Sequence, residues 1–138
     1  MKRFIQNYEV LATSPLRKDA LDIVQAGLHA IDTKTVLEKA VEVKNGILTI
    51  QGRQFNLSNY EHIYIVGFGK VACTAAQTLE KIFKGRIKDG AVIGLSEKVC
   101  QVVYTYAGTH PLPSQQNYVA TKHIEEVARS AKEHDLVL

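Results

Sequence analysis

The sequence predicts an α/β fold in three layers, with a mostly parallel sheet held between helices. Two observations carry this. Ile63-Tyr64-Ile65-Val66 and Ala91-Val92-Ile93-Gly94-Leu95 are continuous apolar runs, as in strands covered on both faces. Segments of helical periodicity alternate with such runs, and that alternation builds parallel sheets with helices on both faces.

In chain order, Ser14-Pro15 reads as an N-cap and first helical residue. Leu16, Ala20, Ile23, Val24, Gly27, Leu28 and Ile31 then recur at helical spacing, which predicts an amphipathic helix. Asp32 can cap a short helix over 33–40, with Val36 and Leu37 as its apolar contacts. Residues 41–43 and 47–50 flank Lys44-Asn45-Gly46 and read as a hairpin, because Asn-Gly accepts positive φ at both turn positions. After a further turn at Gln51-Gly52-Arg53, residues 54–60 are expected to be an irregular connection.

Gly67-Phe68-Gly69 breaks the run at 63–66, and a helix is expected from about Lys70 to Phe83, stopped at Lys84-Gly85-Arg86. Strands follow at 91–95 and 102–106. Ala107-Gly108-Thr109-His110-Pro111-Leu112-Pro113 is a loop, since two prolines and a glycine cannot propagate a regular element. Ser114 can cap a long helix reaching about Ala131, and Leu136-Val137-Leu138 opens another strand. In parallel sheets the ligand-binding loops follow the carboxyl ends of strands, so a chain stopping there reads as truncated.

The chain has 138 residues, 46% hydrophobic and 22% charged, enough for one domain with its own core and too apolar for disorder. Net charge is +3, from 17 basic and 14 acidic residues. The basic residues are scattered, whereas a nucleic-acid footprint needs clustering, so no nucleic-acid partner is expected. No apolar run approaches the roughly 20 residues that span a bilayer. Met1-Lys2-Arg3-Phe4-Ile5-Gln6-Asn7 lacks the apolar core of a secretory signal. No membrane partner is expected, and a cytoplasmic location follows by elimination. Cys73 and Cys100 lack metal-ligand spacing, so no metal site is signalled. Cys73, among Ala72, Ala75 and Ala76, reads as a small buried residue, and Cys100 has no assigned role.

Two stretches could carry chemistry. In Gly67-Phe68-Gly69-Lys70-Val71-Ala72, glycine lets ligand oxygens approach the backbone. The start of the following helix offers free N–H groups and partial positive charge. A cation is poorly placed at a helix start unless an anion docks there, so Lys70 points to phosphate. On this reading the Gly67–Gly69 amides cradle its oxygens. The bland alternative is a tight turn with Lys70 in water. The stretch also fits G-x-G-x-x-A, the dinucleotide fingerprint, with Glu97 slightly displaced from the usual ribose-binding acid. It is not a Walker A loop. In His110-Pro111-Leu112-Pro113, prolines stiffen a loop that can hold a histidine in a cleft for substrate contact or proton transfer. A structural histidine bonding backbone is the even alternative. His29, His62, His123 and His134, and Tyr64, Tyr104 and Tyr106, read as packing or surface residues.

Together these pieces resemble the N-terminal domain of the ATP-dependent glycerate 2-kinases, a group often paired with a MOFRL domain, some relatives of which are named hydroxypyruvate reductases. The resemblance covers nearly the whole chain and is clearest from Tyr60 onward. It implies a Rossmann-like domain, with residues 1–138 as the N-terminal part and the C-terminal remainder absent. It implies a kinase that moves the ATP γ-phosphoryl group to the 2-hydroxyl of D-glycerate, giving 2-phosphoglycerate, with ATP and Mg²⁺ as cofactors. Lys70 maps onto the family lysine acting at the transferred phosphate, beside Gly67, Phe68 and Gly69 as phosphate- or nucleotide-binding residues. His110, Pro111 and Pro113 map onto the family's His-Pro-x-Pro loop. Val71 stands where the family commonly has Ala. The family's Ser-Gly-Gly-Gly-Ser loop would follow Leu138, so this chain alone is expected to be inactive. Homo-oligomerisation stays open. The alternatives are a nicotinamide-dependent reductase using G-x-G-x-x-A and a non-catalytic α/β fragment.

Overall fold

A computed structural model describes residues 3–138; Met1 and Lys2, which open the stretch weighed as a signal, lie outside the described residues. A short helix α1 (Tyr8–Leu11) precedes α2 (Pro15–Ala30) and α3 (Thr33–Ala40). Ser14 and Asp32 cap as their residue types suggest: Arg17 N–H donates to Ser14 Oγ at 3.3 Å and Thr35 N–H to Asp32 Oδ2 at 3.2 Å.

The amphipathic stripe of α2 does not face the core. Leu16 and Ile31 are 81% and 74% exposed, and no α2 residue is buried. The polar side is the docked one. The Tyr8 hydroxyl donates to the Asp22 carboxylate, and the Phe4 N–H donates to Gln25 Oε1 at 3.1 Å. Periodicity identifies which face is apolar, but it does not say what covers that face.

Strands β1 (Val41–Lys44) and β2 (Ile47–Ile50) form the expected hairpin, with Asn45 and Gly46 at φ 51° and 78°. The expected irregular connection is a third strand, β3 (Arg53–Asn56), followed by a 3-10 turn at Leu57–Asn59. Gln51 and Gly52, at φ 47° and 82°, make a second two-residue turn that pairs Ile50 with Arg53. Gln-Gly is a weaker turn signal than Asn-Gly, which is why the strand was hidden.

The parallel sheet has the order β6-β5-β4-β7, built from β4 (Ile63–Phe68), β5 (Ile87–Gly94), β6 (Val103–Ala107) and β7 (Leu136–Val137). Strand β5 starts at Ile87, earlier than the apolar run suggests, and a register shift leaves Lys88 as the extra residue between the Ile63–Ile87 and Tyr64–Asp89 pairs. Helix α4 (Ala72–Phe83) covers one face and α5 (Gln115–Ser130) the other. Ile63, Ile65, Val92 and Val103 pack with Cys73, Ala76 and Phe83 of α4, and the meander adds Val41, Leu48 and Leu57 from beyond the helix. On the opposite face Tyr64 and Ala91 pack with Val127 of α5. The α/β/α layering expected from the sequence is therefore present, with the meander as an addition.

Helix α4 ends through Lys84 and Gly85, both left-handed at φ 49° and 80°. Strand β7 is held by Leu136 N–H on His62 O at 2.9 Å and Leu138 N–H on Tyr64 O at 3.0 Å. No helix among the described residues is long and apolar enough to cross a membrane.

Candidate functional site

The carboxyl ends of β4, β5 and β6 enclose a cleft of about 380 Å³ lined by Phe68, Gly69, Lys70, Ile93, Gly94, Leu95, Gly108, Thr109, His110 and Asn117. The two stretches singled out in the sequence, 40 residues apart at Lys70 and His110, thus share one cavity. Parallel α/β sheets place ligands at this end of their strands.

The first wall follows β4. Gly69 sits at φ 128°, which only glycine adopts without strain, and this turns the chain off the sheet edge. Its N–H donates to Ile93 O at 3.0 Å, and its carbonyl accepts Ala72 N–H at 3.0 Å. The expectation that the Gly69 amide cradles a ligand is corrected by that first bond: the donor is already used. Gly67 is half-buried against Val92 and Ala72 and lies behind the cavity lining. Phe68 is 86% exposed at the cleft edge.

The expected helix start is also corrected. Helix α4 begins at Ala72, with Val71 as its unassisted N-cap, so Lys70 lies just ahead of the helix. The cause is the Gly69 turn, which delays helical geometry. Lys70 is exposed and faces the cavity, and among the described residues no carboxylate pairs with it. The Lys70 and Val71 amides meet no backbone acceptor among the described residues. Donors at a helix entrance remain, but they come one or two residues later than Gly67–Gly69.

The second wall is the loop after β6. Gly108 N–H donates to Gly94 O at 2.8 Å, which ties the loop to β5. The exposed His110 lines the cleft, while Pro111 and Pro113 are exposed and stand outside the lining. The floor includes Gly94. A methyl group there would lie 3.0 Å from Cys73 Sγ and 3.3 Å from Gly69 O, so β5 and the first loop sit closer than a side chain here would allow without a small shift of one or the other. Gly94 and Asn117 went unnoticed in the sequence because an apolar run and a helical face conceal them.

Other groups stand apart. Glu97, the displaced acid of the dinucleotide fingerprint, lines a separate hollow of about 220 Å³ with Tyr106, Gln115 and Gln116. Burial pushes the Cys73 thiol up, and burial with the nearby Glu80 pushes that of Cys100 up to about 11, so neither is a ready thiolate. Glu61, His62 and Asp135 bring possible metal-ligand atoms within 4.8 Å of one another at the opposite end of β4. There the Asp135 carboxylate already accepts His62 N–H at 3.1 Å and Lys132 N–H at 2.8 Å, and lies 3.0 Å from His62 Nδ1. That arrangement reads as a staple between β7 and β4.

The fold is a three-layer α/β domain with a cleft where its parallel strands end. Residues 19–138 match the family described as Domain of unknown function (DUF4147), and the chain belongs to that family. It is similar to the Glycerate 2-kinase of Pyrococcus horikoshii, 26% identical over 125 residues, which cover 88% of this chain and 27% of that protein. The chain thus spans about a quarter of the length of that curated relative. Among solved structures, a protein of Pyrococcus horikoshii OT3 superposes with TM-score 0.75 at 23% identity, covering 91% of this chain and 28% of that one. The glycerate kinase of Thermotoga maritima superposes with TM-score 0.67 at 21% identity, covering 88% of this chain and 27% of that one. These structural matches establish the shared fold. The resemblance to the glycerate kinases drawn from the sequence motifs agrees with the curated relative and with the name of the Thermotoga maritima structure.

Proposed function

We propose that this chain is the N-terminal, phosphate-holding part of an ATP-dependent glycerate 2-kinase. The observation that carries the reading is Lys70, which among the described residues has no carboxylate partner and faces the cleft beside amides that meet no backbone acceptor there, with His110 on the same cavity. The similarity to a protein named Glycerate 2-kinase supplies the substrate class.

Phosphoryl transfer needs positioning and charge neutralisation more than covalent chemistry. The 2-hydroxyl oxygen of glycerate bonds to the γ-phosphorus, the bond from that phosphorus to the bridging oxygen of ADP breaks, and the hydroxyl proton leaves. Lys70 neutralises charge on the moving group, and the Lys70 and Val71 amides donate to its oxygens. His110 is placed to meet substrate or take the proton. No carboxylate lines the cleft, so the described residues there do not fit a Mg²⁺ site, and no step passes through that ion.

The test uses the protein extended past Leu138, incubated with ATP and D-glycerate and followed by ³¹P NMR. Formation of 2-phosphoglycerate, abolished by Lys70→Ala in a protein with unchanged circular dichroism, is the expected result. Turnover that survives Lys70→Ala rejects the role of Lys70, and NADH oxidation by hydroxypyruvate without ATP consumption rejects the kinase.

A further inference from the structure

We infer that Asn117 is a positioning residue that holds His110 over the cleft, an inference that rests on the phosphate reading above. Asn117 is the third residue of α5, and its side chain reaches back into the loop. Its Oδ1 accepts the backbone N–H groups of Thr109 and Ser114, both at 3.0 Å, and also lies 3.0 Å and 3.1 Å from the hydroxyl oxygens of the same two residues. Its Nδ2 donates to Thr109 O at 3.3 Å. One amide side chain therefore grips Thr109 from both backbone groups while pinning the far end of the loop at Ser114. Thr109 Oγ1 donates to Leu112 O at 2.8 Å and closes the intervening turn around His110.

The His110 ring has no hydrogen bond to another described residue, so its place follows from the backbone that Asn117 fixes. Gly108 supports the same device. A methyl group there would lie 2.8 Å from Asn117 Nδ2 and 2.7 Å from Ile93 Cδ1, so a side chain would push the clamp aside.

The experiment is a double-mutant cycle on this chain, with ATP as the probe. Amide shifts of Gly69 and Val71 report binding, and the ¹⁵N heteronuclear NOE of Thr109, His110 and Leu112 reports loop order. His110→Ala and Asn117→Ala are each expected to weaken ATP about tenfold, and the double variant also about tenfold, because both changes remove the same contact. Asn117→Ala alone is expected to lower the loop NOE, with sheet amide shifts unchanged. Gly108→Ala, which crowds the same amide, repeats the measurement if Asn117→Ala does not fold. A loop that stays ordered in these variants, or losses that multiply to about a hundredfold, overturns the inference. A wild-type chain that shows no ATP-dependent shift overturns the phosphate reading beneath it, and that failure is visible before any variant is made.

Discussion

Replacing Glu80 is expected to destabilise the domain, because its carboxylate holds a connection that has no secondary structure of its own. The β5-to-β6 connection, residues 95–102, crosses α4 without forming a helix of its own. Glu80 on α4 takes its backbone donors: Oε2 accepts Gln101 N–H, and Oε1 accepts the N–H groups of Val102 and Val103, each at 2.8 Å. Gln77 Nε2 adds one bond to Val99 O at 2.9 Å. A hydrogen bond to a charged group contributes about 1.5–3 kcal/mol net. Because the three share one carboxylate, Glu80→Ala is set at about 3 kcal/mol in total rather than three times the single value. For a chain of this size that is a Tm loss of about 10 °C. Glu80→Gln retains one acceptor oxygen and is expected to lose about half as much. Burial raises the Glu80 carboxyl pKa, but the three N–H donors outweigh it and hold the group below its ordinary value. Its stabilisation is therefore complete above the unfolded value of about 4.3 and is lost as pH falls through the lower folded value. The Tm gap between wild type and Glu80→Gln should close over that acid window. Thermal unfolding by circular dichroism measures both effects. A Tm change under about 2 °C for Glu80→Ala would refute the reasoning.

Three further outcomes follow from the packing. Ile23→Lys on α2 should change stability by less than about 0.5 kcal/mol, since the side chain is 74% exposed; a urea-midpoint loss typical of a core site would contradict the orientation of α2. Leu48→Ala should cost about 2–5 kcal/mol, because this meander residue is fully buried and its removal leaves a cavity beside α4. Gly94→Ala should cost about 1–3 kcal/mol by overpacking Cys73 and the Gly69 carbonyl, and amide shifts at Gly69–Cys73 should move most; shifts confined to β5 would contradict that contact.

The parallel sheet was legible because strands covered on both faces must be apolar throughout, and 63–66 and 91–95 are. The direction in which α2 faces was not legible, since a stripe at helical spacing looks the same whether it meets a core or water. The start of α4 was misplaced by the positive φ of Gly69, which needs coordinates to see. The two cleft loops stood out because glycine, proline, lysine and histidine have unusual backbone or chemical properties. Glu80 did not, because it acts through backbone donors more than twenty residues along the chain, and Asn117 did not, because asparagine stands where the Ser-capped box more commonly carries Glu or Gln.

The most direct measurement is an ATP titration of this chain and its Lys70→Met variant, followed by ¹H–¹⁵N NMR. Shifts that gather at Gly69, Lys70, Val71 and His110 in the wild type, with affinity at least about tenfold weaker in Lys70→Met, are the expected result. Equal affinity in the two proteins, or shifts that map away from the ends of β4, β5 and β6, would contradict a phosphate site at Lys70.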